Sequence, residues 1–316
     1  MREDCLVEIL IGAGGWDYFN VPGDKLRNYA RAFKTVEVNS IFYRIPPLNL
    51  VESWRMRVPE EFEFTVRCNR ILSHKLRFEP SEESFEIFNS MRRICSILRA
   101  QIIHIQTPQD FKLDRDACMR VSNFLSTVNL DGLRLAWELR GETKIGYDRF
   151  LQILQDHGII HCVDLSRENP AYESNILYSR LFGKGHHNIY QFSNTELKEI
   201  YGKVRASKAE RAYLNFHGVR MYSDAARLSV YESSGKFPKV TRSLGIDSAL
   251  EVLKEDSKFP TNTSELIKRQ GWKICEWGEN EQLRLSEILG WIGEKTFKNI
   301  SELEMELRKI EYQPWS

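Results

Sequence analysis

The feature that most constrains this chain is an alternation. Short apolar segments, too brief to be helices, recur from Leu6 to Phe216 with amphipathic segments between them. Eight read as strands: Leu6–Ile11, Thr35–Asn39, Glu63–Cys68, Gln101–Gln106, Arg134–Leu139, Ile159–Asp164, Ile176–Leu181 and Arg211–Phe216. Most are rich in β-branched residues, and several are nearly continuous apolar runs. Such runs suit strands of a parallel sheet covered on both faces. Between them, Leu26, Tyr29, Ala30 and Phe33 fall at i, i+3, i+4 and i+7 and form one helical stripe. Ser84–Leu98, Ala117–Val128, Tyr147–Gln155 and Thr195–Val204 continue the pattern, the last with Asn194 as its expected N-cap.

Eight strands alternating with helices predict an α/β fold, a TIM-type (β/α)8 barrel over residues 1–233. A doubly wound open sheet is the alternative, but its Gly-rich phosphate turn is not declared. The first turn, Ile11-Gly12-Ala13-Gly14-Gly15-Trp16, has Asp17 where a dinucleotide fingerprint needs its third glycine. Those glycines are read as letting the backbone pass close to a ligand or a neighbouring loop. From Ser234 the character changes. Ser234-Gly235-Lys236-Phe237-Pro238-Lys239 reads as a linker, and residues 234–316 as a small helical appendage. Its expected helices are Ile246–Lys254, Thr263–Gln270, Glu281–Ile292 and Ser301–Ile310, the last opening on Ser301-Glu302-Leu303-Glu304 as a capping box.

Composition narrows the class. With 45 Lys and Arg against 44 Asp and Glu in 316 residues, the chain is not a basic nucleic-acid coat, although a local basic groove remains open. No run approaches the roughly 18 apolar residues of a membrane span. The start, Met1-Arg2-Glu3-Asp4-Cys5, does not read as a signal peptide, so a cytoplasmic location is expected. The six cysteines form no C-x-x-C pair and read as reduced thiols, with Cys68 and Cys162 inside strands.

Barrel sites lie at the C-terminal ends of strands, and side chains alternate along each strand. Polar residues of one parity at those ends are therefore the informative ones. They are Glu37 and Asn39, Arg67, His104 and Gln106, Glu138 and Arg140, Asp164, Arg180, and Asn215 and His217, with His74 in the loop after the third strand. A ring of such groups costs desolvation unless paired or wetted. One reading is a structural network in which Glu37, Glu138 and Asp164 neutralise Arg67, Arg140 and Arg180. The preferred reading is a pocket for an anionic or polar ligand. Its arginines would fork onto phosphate or carboxylate, and Glu37 and Glu138 would act as an acid/base pair. His74 is the preferred catalytic histidine, and His104 reads as a satisfied interior one. Asn39, Gln106, Asp164, Asn215 and His217 would bind substrate. Aromatic Trp16, Tyr18, Phe42, Tyr43, Trp54 and Tyr190 fall near Arg44, Arg70, Lys75 and Arg77, a mix that suits stacked bases or sugars. Phe42 and Trp54 are assigned to the core, and Tyr43 and Arg44 to the site. No H-x-H, H-E-x-x-H, G-x-S-x-G or P-loop motif occurs, so no metal ligand set is assigned and no cofactor is expected, with a divalent metal left open as an alternative that no ligand motif supports.

These residues resemble the domain of unknown function 72 (DUF72) family, also called YecE-like proteins. The carrying motifs are Ile11–Trp16, Val36–Arg44, Trp54, Phe64–His74, Gln106-Thr107-Pro108, Glu138-Leu139-Arg140, Asp164, Arg180–Gly183 and Asn215-Phe216-His217. The resemblance implies a TIM-type barrel broadly similar to endonuclease IV and sugar-isomerase barrels. By analogy of fold it suggests nucleic-acid or sugar-phosphate chemistry. The chain departs from the family pattern at Arg67 (usually lysine), Asn69 (usually proline), Ser73 (usually threonine), Phe182 (usually histidine) and His217-Gly218. These changes favour anion binding over a lysine-based mechanism. The tail around Phe259–Ile267 is similar to extensions on archaeal members. The expected function is thus a barrel enzyme, hydrolase- or nuclease-like, on a phosphorylated or nucleic-acid substrate. A non-catalytic nucleic-acid binder and a metal-independent sugar or metabolite enzyme are the alternatives.

Overall fold

The structure is a computed structural model that describes residues 7–140 and 144–310. Leu6, and Met1–Cys5 ahead of it, lie outside the described residues. Eight parallel strands form one sheet: β1 Glu8–Ala13, β2 Thr35–Val38, β3 Glu63–Arg67, β4 Ile102–Gln106, β5 Arg134–Glu138, β6 Ile160–His161, β7 Ile176–Leu181 and β8 Arg211–Phe216. Each pairs with its sequence neighbour, and β1 pairs with β8 over six residues, Glu8 with Arg211 through Ala13 with Phe216. The ring closes between β6 and β7 by a parallel bridge from Val163 to Ser179, beside a bond from the Arg180 N–H to the Val163 carbonyl. The fold is therefore a (β/α)8-type barrel. β1 begins and ends two residues later than the apolar pattern places it, because Gly12 and Ala13 still pair with Thr35 and Val36.

The helices are α1 Lys25–Ala32, α2 Ser40–Tyr43, α3 Leu48–Arg55, α4 Glu82–Leu98, α5 Arg115–Thr127, α6 Lys144–Asp156, α7 Asn194–Ala206 and α8 Met221–Ser234. Short polar side chains start them. Asp24, Ser81 and Asp114 each accept the N–H three residues on. The expected cap of α7 is displaced by one position. The Ser193 hydroxyl accepts the N–H of Glu196 while the Glu196 carboxylate accepts the N–H of Ser193, so the box is Ser193-x-x-Glu196 and Asn194 is already helical. Between β6 and β7 the described chain has no helix, only turns, where the repeat calls for one.

The chain divides into two compact units, one of residues 1–181, 200–217 and 221–229, the other of residues 182–199, 218–220 and 230–316. Inside the first, Leu10, Ile102, Ala136, Ile160, Cys162, Tyr178 and Tyr213 form a buried cluster in the barrel. Each large side chain there contributes roughly 1.5–3 kcal/mol of burial. The second unit has its own core, including Ile246, Leu253, Leu285, Leu289, Leu303 and Leu307. It contains α9 Gly245–Asp256, α10 Thr263–Gln270, α11 Leu285–Gly290 and α12 Ile300–Ile310. It is not purely helical. β9 Thr261–Asn262 pairs antiparallel with β12 Thr296–Phe297, and β10 Ile274–Glu276 with β11 Gln282–Arg284. The expected helix from Glu281 is thus a strand followed by α11. The Arg284 guanidinium, bonded to the Tyr190 hydroxyl at 2.6 Å and the Trp272 carbonyl at 2.9 Å, anchors the switch. α12 is capped by Asn299, which accepts the N–H of Glu302, and not by Ser301. No described helix is long and apolar enough to cross a membrane.

Candidate active site

Above the apolar cluster the barrel interior turns polar. Along β7, Tyr178 belongs to the apolar cluster and Arg180, two residues on, enters the polar layer, as period-two alternation requires. The fully buried Glu37 of β2 meets Arg180 across the lumen. Its Oε1 accepts from Arg180 Nε at 3.2 Å and lies 3.1 Å from Nη2. Its Oε2 accepts from the Tyr178 hydroxyl at 2.8 Å, and that hydroxyl also pairs with Thr65 Oγ1 at 2.8 Å. Arg180 Nη1 donates to Glu138 Oε2 at 2.7 Å and to Gln106 Oε1 at 2.9 Å. Arg180 Nε also lies 3.2 Å from His217 Nε2 as a donor to it. One buried guanidinium thus joins groups from β2, β4, β5 and the end of β8.

His104 stands between the two carboxylates. Its Nδ1 is 3.5 Å from Glu37 Oε2 and its Nε2 is 3.5 Å from Glu138 Oε2, and its ring stacks on Tyr178 with centroids 5.7 Å apart. Both ring nitrogens are buried without a hydrogen bond of good geometry. It is therefore not the satisfied interior histidine expected from sequence. Glu138 is the carboxylate nearer the mouth, with a side chain 14% exposed against 0% for Glu37. Its other oxygen accepts from Arg140 Nε at 2.6 Å.

Arg67 behaves differently from the other two arginines. Its Nη2 donates to Gln106 Oε1 at 2.7 Å, its Nη1 to Asn39 Oδ1 at 3.4 Å, and its guanidinium lies 3.8 Å from the Phe42 ring centroid. Its Nε is buried without a partner, and no carboxylate of the described residues is within ion-pair distance. Phe42, assigned to the core from sequence, is half-buried and serves as this platform.

The electrostatics follow from burial and from Arg180. Burial pushes the Glu37 and Glu138 carboxyls up, but Arg180 outweighs it, and both are held below the usual glutamate range. Burial, then Arg180, push His104 and His217 down, so both rings are neutral at pH 7. Burial and the neighbouring Arg180 bring Arg67 down to about 10.

His74 sits on a π-helical turn, Ile71–Lys75, a distortion often found near functional sites. Asn69 sets that turn. Its side chain accepts the Ile71 N–H at 2.9 Å and donates to the Ile41 carbonyl at 2.8 Å. His74 is half-buried, with Nδ1 2.9 Å from the Ser73 hydroxyl and its ring 5.1 Å from Phe42. Burial, then Arg67, lower its pKa. Asn215 in β8 is fully buried, and neither side-chain atom has a partner among the described residues. Asp164, Tyr43 and Arg44 are the remaining expected site residues, and Tyr43 lies close enough to Arg67 to raise its pKa. Asp164 accepts from the N–H and hydroxyl of Ser166, at 2.9 and 2.6 Å, and so fastens its own turn. Tyr43 is 65% exposed and edge-on to Phe42, and Arg44 is exposed. Trp54 is core, as expected. Tyr178 and Thr65, absent from the expected set, share the parity of Arg180 and Arg67 on their strands.

The first turn explains its glycines by contact. A Cβ on Gly14 would lie 2.3 Å from the His217 ring and 2.6 Å from Asn39 Nδ2, and one on Gly12 would lie 2.0 Å from the Thr35 carbonyl oxygen. The backbone passes close to the site's own side chains.

His104, Glu138 and Cys162 bring one ligand atom each within 4.8 Å of one another. A cation there would meet Arg180, 2.7 Å from Glu138, and a thiol that burial pushes far above its ordinary pKa. The donor set fits a resident metal poorly.

A barrel whose strand ends converge on two carboxylates, three arginines and neutral histidines defines a class: a TIM-type barrel with a polar cluster at the strand ends where such barrels carry their sites. The sequence profile described as "Protein of unknown function DUF72" matches residues 10–232, and the chain belongs to that family. A DUF72 family protein of Thermotoga maritima has a similar crystal structure, with TM-score 0.57 and 20% identity over 72% of this chain and 100% of that one. One of Enterococcus faecalis gives TM-score 0.55 and 17% identity over 72% of this chain and 98% of that one. At these identities the likeness concerns the fold. No curated protein matches the chain at a significant level.

Proposed function

We propose that the barrel mouth is the active site of an acid–base enzyme acting on a phosphorylated substrate. The observation that carries this is Arg67. Arg180 is matched by Glu37 and Glu138, and Arg140 by Glu138, whereas Arg67 is largely buried on Phe42 with no carboxylate partner. Leaving a buried cation unmatched is costly, and an anionic ligand offsets that cost when it binds. Asn39 and Gln106 hold the guanidinium in place, and His74, uncharged at neutral pH, is a donor or acceptor for the ligand's remaining oxygens.

Glu138 is the group that exchanges a proton with substrate, since it is the carboxylate with access to the mouth. Held low by Arg180, it enters as a base. A bound phosphate beside it would raise its pKa and help it keep the proton it takes. Glu37 is a positioning residue: fully buried, it fixes Arg180 and Tyr178. His104 lies between the two carboxylates and links them for proton exchange. Free thiols at Cys68, Cys95, Cys162 and Cys275, with a phosphorylated metabolite as substrate, suit a reducing cytoplasm.

The test is titration of the protein with inorganic phosphate, sugar phosphates and single-stranded, duplex and abasic oligonucleotides at low and moderate salt. Small phosphates should bind saturably. Arg67→Met should weaken them by about 1.5–3 kcal/mol, roughly 10- to 150-fold, without unfolding the barrel. Unchanged phosphate affinity in Arg67→Met would refute the site. Oligonucleotide binding that falls steeply with salt, without small-phosphate binding, would move the reading to a nucleic-acid ligand.

A further inference from the structure

At the other end of the barrel, the N-terminal ends of β6 and β7, lies a cavity of about 290 Å3. It exists because the β6–β7 connection lacks the helix that would otherwise cover this flank. Its walls come from the strands, the helix-free connection and the C-terminal end of α7. They include Leu165, Pro170, Tyr172, Leu177, Ala206 and Ala209, so the lining is mainly apolar.

Among the polar wall groups, His161 is the buried one. Its ring lies edge-on to Phe150 at 5.4 Å between centroids. Its Nδ1 accepts the N–H of Ala171 at 3.0 Å, which places the ring proton on Nε2. Burial brings this histidine down to about 4, so the ring stays neutral at pH 7. Nε2–H makes no hydrogen bond among the described residues. At the rim, Lys208 pairs with Glu173 at 2.6 Å, and Lys203 is tied to the Leu165 carbonyl at 2.6 Å. The rim cations are thus engaged, and the buried donor available to a ligand is that of His161.

We propose that this cavity is a second ligand site, independent of the barrel mouth, for a small neutral apolar molecule that carries one hydrogen-bond acceptor. Size and lining set the class. An apolar cavity of about 150 Å3 takes up benzene, and this one has room for roughly a bicyclic ring. A charged ligand would lose its solvation against apolar walls. A neutral one with a single acceptor satisfies the buried His161 donor.

Quinoline and naphthalene test this directly, because they share a shape and differ by one acceptor nitrogen. Titrated by NMR into the full-length protein at pH 7.5, quinoline should saturate one site, with NOEs from its ring protons to the methyl groups of Leu177 and Ala206. Naphthalene should bind about 2- to 10-fold more weakly, the value of one neutral hydrogen bond. His161→Phe should erase that preference, and Ala209→Phe, which fills the space, should abolish binding. Should either variant fail to fold, the wild-type NOEs and the affinity ratio decide alone. Absence of saturable quinoline binding, NOEs to residues elsewhere, or equal affinities of the two probes would overturn the proposal. Because no residue of the mouth takes part, phosphate binding by Arg67 succeeds or fails separately.

Discussion

Arg180→Met removes the one cation that both buried carboxylates share. In the folded protein Arg180 is 2% exposed and within 3.2 Å of Glu37 and Glu138 oxygens. Methionine keeps the apolar stem and leaves Glu37 with no full counterion. Breaking a buried pair from one side costs about 3–5 kcal/mol. In a unit of this size each kcal/mol moves the melting temperature by roughly 2–4 °C, so a fall of about 6–20 °C is expected. The pH dependence sharpens the test. In the wild type both glutamates are held below their ordinary pKa. Their contribution is complete above the unfolded value, about 4.3, and is lost as pH falls through the folded values. In the variant the largest charge opposing burial is gone, so both carboxyls rise relative to wild type and protonation relieves the folded state. His104, 3.5 Å from each carboxylate and released from Arg180, can also take up a proton and replace part of the missing charge. The gap to wild type should therefore be widest near pH 7.5 and narrow on acidification to pH 4.5. Melts by circular dichroism across that range measure it. Arg180→Met combined with Glu138→Gln should recover part of the loss. A gap below about 1 kcal/mol, or one constant from pH 7.5 to 4.5, would show that Arg180 is not what keeps these carboxylates ionised.

Three further outcomes follow from single contacts. Gly14→Ala places a Cβ against His217 and Asn39, so it should destabilise the barrel by about 1–3 kcal/mol and weaken phosphate binding, read by urea melts and the same titration. His161, pushed by burial down to about 4, favours folding above the unfolded value of 6.5 and loses that contribution as pH falls toward 4. The difference is on the order of 3 kcal/mol, so His161→Phe should show a shallower loss of stability between pH 6.5 and 4 than wild type. Ser193→Ala removes the cap of α7 and should cost about 1 kcal/mol, whereas Asn194→Ala should cost little, which melting curves of the two variants distinguish.

The barrel was legible because each strand carries its own signal. β7 and β8 run where their apolar stretches place them, and five more strands fall within two residues of expectation. The errors share a cause: a local pattern satisfied by more than one neighbour. Ser193, Asn194 and Thr195 are all competent caps, and only the three-residue spacing to Glu196 selects Ser193. Ser301 likewise loses to Asn299 through Glu302. Leu283, Leu285, Ile288 and Leu289 fit a helical stripe, yet Leu283 is claimed by a hairpin partner at Cys275 that helical periodicity does not reveal. The missing helix between β6 and β7 was hidden differently, since the repeat of strands continues across a connection that only turns.

The polar ring was legible in membership but not in pairing. Alternation tells that Glu37, Arg67, His104, Glu138 and Arg180 share the interior, and it treats the three arginines alike. Which arginine is matched depends on distances across the lumen between strands that are not neighbours, such as β2 and β7. Those distances give Arg180 two carboxylates, give Arg140 one oxygen of Glu138, and leave Arg67 with amide oxygens and an aromatic face. Amide oxygens carry no net charge. They can orient a guanidinium but cannot neutralise it, so the uncompensated charge of the ring falls on Arg67. An arginine at this position therefore has a physical consequence. A planar fork held on Phe42 by Asn39 and Gln106 presents its charge in one fixed direction, as a flexible ammonium would not. On the proposed function, an oxyanion entering the mouth would meet that fork beside Glu138, the more exposed of the two glutamates.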